Sequence, residues 1–171
     1  IPPFLDGHGR VGRLLITLLL CVEGALQQPL LYLSLFFKRH RSLYYDLLQT
    51  VREDGDWEAW LNFFFEGVAT TGNHAFATAN KLLKLFEEDR TRIRTLGRAS
   101  GSALALHHFF QRRPIGSVPE AHRALKISIP TLHASAKHLV KLSILRELSG
   151  KPRYQVFSYA RYLDVLNEDE A

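Results

Sequence analysis

The sequence predicts a mainly α-helical protein in two parts, residues 1–98 and 99–171, with a small pair of β-strands in the second. Three observations lead there. Apolar residues recur at three- and four-residue spacing along most of the chain. The stretch LGRASG, residues 96–101, interrupts that spacing once. Charge is also uneven about this point. Residues 1–110 hold 12 basic and 11 acidic side chains, while residues 111–163 hold 10 basic and 2 acidic. With 46% hydrophobic residues the chain has enough apolar material for a core.

Residues 1–9 read as a loop, since Pro2, Pro3, Gly7 and Gly9 oppose regular structure. A helix follows from Arg10 to about Leu26, apolar nearly all round and so expected to be buried on most sides. Gln27-Gln28-Pro29 ends it. A second helix spans Leu35 to Arg52, with Tyr44, Leu47, Leu48 and Val51 on one stripe. Asp56 caps the next helix, which begins at Trp57 and carries Trp60, Phe63, Phe64 and Phe65. The chain then leads past Thr71-Gly72-Asn73 into a long helix over 74–96, closed by Gly97.

In the second part, helices are expected over 102–112, Pro119–Lys126 and Pro130–Leu142, with a tight turn at Ile127-Ser128-Ile129. Ile144–Leu148 and Arg153–Ser158 read as strands joined by Ser149-Gly150-Lys151-Pro152. A short helix, Tyr159–Leu166, comes last.

Several classes of function are excluded. One cysteine, Cys21, rules out a disulfide framework and points to the cytoplasm; in an apolar run it reads as a buried small hydrophobe. The longest apolar run, Leu14–Val22, is about half a membrane span, so no membrane partner is expected. His107-His108 are adjacent and His133 and His138 are five apart, so neither pair has the spacing of helical zinc ligands. No Ser-His-Asp or nucleophile-elbow pattern is visible.

The stretch with the most chemistry is PFLDGHGRVGR, Pro3–Arg13. Gly7 and Gly9 permit a turn in which backbone N–H groups converge, and a helix follows at once. Such a nest binds phosphate. Arg10 and Arg13, three apart, can both reach one polyphosphate, and Asp6 can hold a magnesium ion bridging two phosphates. Gly7, Gly9 and Gly12 also fit the dinucleotide fingerprint G-x-G-x-x-G, but no parallel strand precedes them and no strand–helix–strand pattern follows. No Walker pattern occurs.

The stretch strongly resembles the Fic (Fido) family motif H-P-F-x-[D/E]-G-N-G-R-x-x-R. It stands here as Pro2-Pro3-Phe4-Leu5-Asp6-Gly7-His8-Gly9-Arg10-Val11-Gly12-Arg13. The resemblance extends over residues 1 to about 100, through RLLITLLL and HRSLYYDLLQTVREDGDWEAWLNFFFEGV. It implies the C-terminal half of a Fic-type helical domain and transfer of AMP from ATP-magnesium to a Ser, Thr or Tyr hydroxyl of a protein substrate. By position, Asp6 would hold magnesium. Gly7, His8 and Gly9 would form the anion nest, and Arg10 and Arg13 would clamp phosphates. Tyr44, Tyr45 and Asn62 would lie near the base.

This sequence departs from the family in two ways. The family's general-base histidine is Pro2 here, which cannot take a proton, so no catalytic residue is assigned. His8 replaces the family's asparagine; histidine tolerates positive φ, so the turn is kept while the amide is lost. The helices and flap that precede the motif in the family lie outside this sequence. With Ile1 at its start and no methionine, the chain is expected to be a truncated product or a piece of a longer one.

The basic second part reads as a helix-turn-helix, SVPEAHRALKISIPTLHASAKHLVKLSIL. On its second helix Leu132, Ala136, Leu139 and Val140 share one face, opposite His133, Ala134, Lys137, His138 and Lys141. That basic face suits groove entry, with Lys151 and Arg153 at the strand tip for phosphates. Arg, Asn and Gln are scarce on this helix, so little base-specific readout is expected. The segment resembles the winged-helix domain that follows many Fic domains. Two function classes result. One is a degenerate Fic-type adenylyltransferase, weak or inactive without its base. The other is a DNA-binding or regulatory winged-helix protein whose Fic remnant supports partner contact or a homodimer.

Overall fold

A computed structural model describes residues 8–24, 33–150 and 155–168. The chain divides into two compact units, Ile1–Ala77 and Thr78–Ala171. Among the described residues it is mainly helical, with one small antiparallel sheet.

The first unit holds α1 (His8–Val22), α2 (Leu33–Arg39), α3 (Arg41–Asp54) and the start of α4 (Trp57–Arg94). Its core is a cluster of Leu33, Phe36, Phe37 and Phe63, with Ile16, Tyr44, Leu47, Trp60, Phe64 and Val68 packed against it. The expected helix 35–52 is bent at His40, whose φ is −106° and ψ 38°. The His40 and Phe36 ring centroids lie 4.6 Å apart, and hydrogen bonds from His40 N–H to Phe36 O and Tyr44 N–H to His40 O carry on through the bend. Gly55 ends α3 at φ +71°, and the Asp56 carboxylate accepts the Ala59 N–H at 3.1 Å, as the N-cap reading requires.

Three expectations in this unit are corrected. α1 starts at His8 and stops at Val22, where Gly24 turns the chain at φ +74°. It is not buried on most sides: Val11, Leu14, Leu15, Leu18, Leu19 and Val22 are exposed, and among its described side chains only Thr17 is buried. Among the described residues, only the side bearing Ile16 meets the aromatic cluster. Cys21 is half-buried. Finally, no break occurs at Thr71-Gly72-Asn73, because α4 runs unbroken through them. One glycine costs a helix only about 1 kcal/mol, too little to interrupt it.

Two glycines of α4 should therefore respond oppositely to alanine. A Cβ on Gly72 meets nothing within 4 Å, so Gly72→Ala is expected to stabilise the chain by about 0.5–1 kcal/mol. A Cβ on Gly67 would sit 2.7 Å from Phe36 Cδ1, so Gly67→Ala should cost about 1–3 kcal/mol by overpacking. Urea unfolding of the two variants checks the pair of signs.

The second unit begins within α4. The sequence places the boundary at 98/99, but the apolar stripe Leu82, Leu85, Phe86 and Ile93 belongs to the core of the second unit. A 3₁₀ turn (Gly97–Ala99), with Gly97 at φ +61°, leads into α5 (Ser100–Arg112). Then come β1 (Ile115–Ser117), α6 (Val118–Leu125), α7 (Ile129–Lys141), β2 (Arg146–Glu147), β3 (Val156–Ser158) and α8 (Ala160–Asn167).

The sheet order is β1-β3-β2, antiparallel throughout, with Gly116 opposite Phe157 and Arg146 opposite Ser158. β1 is absent from the sequence expectation. Its three residues have no periodicity of their own and are strand only because β3 pairs with them. The strands expected over 144–148 and 153–158 shorten to β2 and β3; residues 151–154 between them, Lys151 and Arg153 included, lie outside the described residues. α5, α6 and α7 bury Leu106, Phe110, Ala121, Leu132, Leu139 and their neighbours against Ile144, Phe157 and Tyr159. Each fully buried leucine of this kind contributes about 1.5–3 kcal/mol. Among the described residues no helix is long and apolar enough to cross a membrane.

Candidate functional site

The site is built on α7, and its position follows from local sequence. α6 is opened by a capping box, in which the Ser117 side chain accepts the Glu120 N–H and Glu120 Oε2 in turn accepts the Ser117 N–H at 2.8 Å; the Ser117 hydroxyl also donates to Glu120 Oε2, at 2.7 Å. These bonds, with Arg123 and Arg113 adding to them, hold the Glu120 carboxyl below its ordinary value. Lys126 ends α6 in the left-handed region at φ 59°. His122 Nδ1 lies 2.7 Å from the Ile127 carbonyl, so that nitrogen carries the proton and donates across the turn. Ser128 then caps α7, accepting the Thr131 N–H at 3.4 Å.

α7 turns Leu132, Ser135, Ala136 and Leu139 inward. Ser135 donates to Ser102 Oγ on α5 at 2.9 Å. Val140, placed by sequence on the apolar face, is instead 38% exposed. Its place inside is taken by the small Ser135, which the α5 hydroxyl satisfies. On the outer side Lys137 and Lys141 are exposed, and His133 and His138 are half-buried. No acidic side chain lies on α7, so every charge on this face is positive.

A buried polar chain fixes the far end of α7. Asp89 of α4 is fully buried. Its Oδ2 accepts the Tyr159 hydroxyl at 2.7 Å, and its Oδ1 accepts Nη1 of both Arg92 and Arg161 at 3.0 Å. Arg92 reaches on with Nη2 to the Leu142 carbonyl, immediately after α7. Because the Tyr159 proton goes to Asp89, His107 Nε2, 3.1 Å away, must donate to the Tyr159 oxygen. His107 Nδ1 is then an acceptor, matched by Gln111 Nε2 at 3.3 Å. Every donor along Gln111, His107 and Tyr159 thus points toward one carboxylate. Burial, then the bond to Asp89, pushes the Tyr159 phenol far up, which keeps it a donor.

Burial also pushes the His107 imidazole down from 6.5 to about 4, although Asp89 pulls it the other way. Between those values the unfolded chain takes up a proton that the folded chain refuses. Stability is therefore expected to fall as pH drops from about 6.5 to about 4, by roughly 3 kcal/mol from this group. His107→Gln, which keeps a donor near Nε2, should flatten that slope. Urea unfolding at pH 7 and pH 4.5 measures it.

The sequence reading missed this chain. The available signal was Asp89 standing in the apolar stripe of Leu82, Phe86 and Ile93, where an acid needs partners.

The other residues singled out by sequence fall as follows. Tyr44 is half-buried in the first unit's aromatic cluster, with ring centroids 5.0 Å from Phe37 and 5.4 Å from Trp60. Tyr45 is 55% exposed, and the Arg41 guanidinium lies 5.7 Å over its ring. Asn62 is exposed on α4. His8, Gly9, Arg10 and Arg13 are backbone positions in the first two turns of α1. Pro2, Asp6 and Gly7 lie outside the described residues. Among the described residues no three His, Cys, Asp or Glu side chains gather as a metal ion would require. No family model matches the chain.

Proposed function

We propose that the second unit is a winged helix-turn-helix that binds nucleic acid through α7. The observation that carries this reading is the order α5-β1-α6-α7-β2-β3, with sheet order β1-β3-β2, placing an acid-free basic helix outward. This is the layout in which the second helix of a helix-turn-helix enters a major groove. His133, Lys137, His138 and Lys141 contact phosphates or base edges, and Lys151 and Arg153 extend the contact from the segment between β2 and β3. The outer face of α7 offers no Arg, Asn or Gln, so affinity comes mainly from phosphates and depends strongly on salt. Fluorescence anisotropy with a labelled 20-base-pair duplex tests the reading. Binding at 50 mM salt that weakens linearly on a log–log plot is expected; no binding at 50 mM salt overturns it.

A second reading is supported by the start of α1 at His8, inside Gly7-His8-Gly9. A helix beginning there turns its first N–H groups toward an anion, as the Fic-type cradle requires. On this reading the chain is a degenerate Fic-type protein adenylyltransferase. Asp6 holds magnesium and Gly7, His8, Gly9, Arg10 and Arg13 hold ATP phosphates, while Pro2 removes the base. Calorimetric titration with magnesium-ATP, beside a Pro2→His variant, tests it. Binding by both, with AMP transfer only by the variant, supports an intact cradle; no heat from either overturns it.

A further inference from the structure

We propose that a cleft between α5 and α6 is a second anion site, in which Arg112, Arg113 and Arg123 bind a phosphate group. The cleft has a volume of about 640 Å³ and is lined by Phe109, Arg112, Arg113, Glu120, Arg123 and Ala124. Arg112 and Arg113 close α5, and Arg123 stands on the exposed side of α6, next to the small Ala124. All three guanidinium-bearing residues are exposed. Among the described residues none of the three forms an ion pair.

The one acid in the cleft offsets only part of their charge. Glu120 Oε2 is taken by the Ser117 N–H and hydroxyl, and its carboxylate makes no ion pair with Arg113 or Arg123. Three cations against one committed anion leave the cleft with a net charge of about +2. The buried Phe109 contributes an apolar part of the lining. Planar forks match phosphate oxygens two at a time, which favours phosphate over a single carboxylate. None of these residues belongs to the α7 face.

The phosphate has two sources: a free polyphosphate, or the backbone of a bound nucleic acid. Calorimetry of the full chain with sodium pyrophosphate at low salt tests the site itself. Saturable one-to-one binding is expected, weakened at least ten-fold in Arg113→Gln/Arg123→Gln and unchanged in Lys137→Gln/Lys141→Gln. The charge-keeping Arg123→Lys should lose part of the affinity, since the fork is gone while the charge stays. The replaced side chains are exposed, and matching circular dichroism shows that the variants fold. Absence of saturable binding, or binding indifferent to Arg113→Gln/Arg123→Gln, overturns the proposal. Titration with duplex DNA then separates the sources. If Arg113→Gln/Arg123→Gln weakens DNA binding, the phosphate is the backbone's; if DNA binding is unchanged while pyrophosphate binding is lost, it is a free ligand's.

Discussion

The double variant Lys137→Gln/Lys141→Gln is expected to bind duplex DNA roughly 10–100-fold more weakly than the parent chain at 0.1 M salt. Each lysine–phosphate contact releases about 0.9 counterion, worth roughly eight-fold at that salt, so two contacts multiply. The log–log salt slope should flatten by about 1.8 for the same reason. Both lysines are exposed on α7 and make no ion pair among the described residues, so folding should be unaffected. A loss that is the same at 50 and 200 mM salt would show that the two lysines do not touch phosphates. Anisotropy titrations at those two salts suffice.

The second large effect is on stability. Asp89→Ala is expected to destabilise the chain by about 3–5 kcal/mol, the usual cost of removing one partner from a buried charge pair. The substitution leaves the Tyr159 hydroxyl without its acceptor, and Arg92 and Arg161 without the carboxylate both contact. Asp89→Asn keeps the volume and should still lose much of this, because an amide cannot accept from all three donors at once. Since Arg92 also holds the carbonyl of Leu142 behind α7, amides after that helix should exchange faster in both variants. Urea unfolding and hydrogen exchange measure the two consequences. A loss below about 1 kcal/mol in Asp89→Ala would mean that the buried carboxylate contributes little. Arg161 also pairs with Glu88 at 3.3 Å, but that exposed pair contributes at most about 1 kcal/mol.

The helices were legible where periodicity and local chemistry agree. Ser128 before Pro130, and Leu132, Ala136 and Leu139 at helical spacing, fix the start and inner face of α7. Asp56 before Trp57 fixes the start of α4. Features that depend on distant partners were not legible. β1 exists because Ile115–Ser117 pair with Val156–Ser158, some forty residues on, and three residues carry no alternation to announce it. The burial of Asp89 depends on Tyr159 and Arg161, seventy residues away in sequence. The break at Thr71-Gly72-Asn73 failed for the opposite reason: the local signal, one glycine costing about 1 kcal/mol, was too weak to interrupt a helix. In the candidate site, the basic face of α7 was legible because it needs only a helix period. The cleft of Arg112, Arg113 and Arg123 was not, because it needs α5 and α6 to meet.

The most direct test of the account is an NMR titration of the ¹⁵N-labelled chain with an unlabelled duplex. The expected result is that the largest amide shifts fall on His133, Lys137, His138 and Lys141, and between β2 and β3. Shifts confined to the start of α1, with α7 silent, would contradict it and place the interaction in the glycine-rich segment instead.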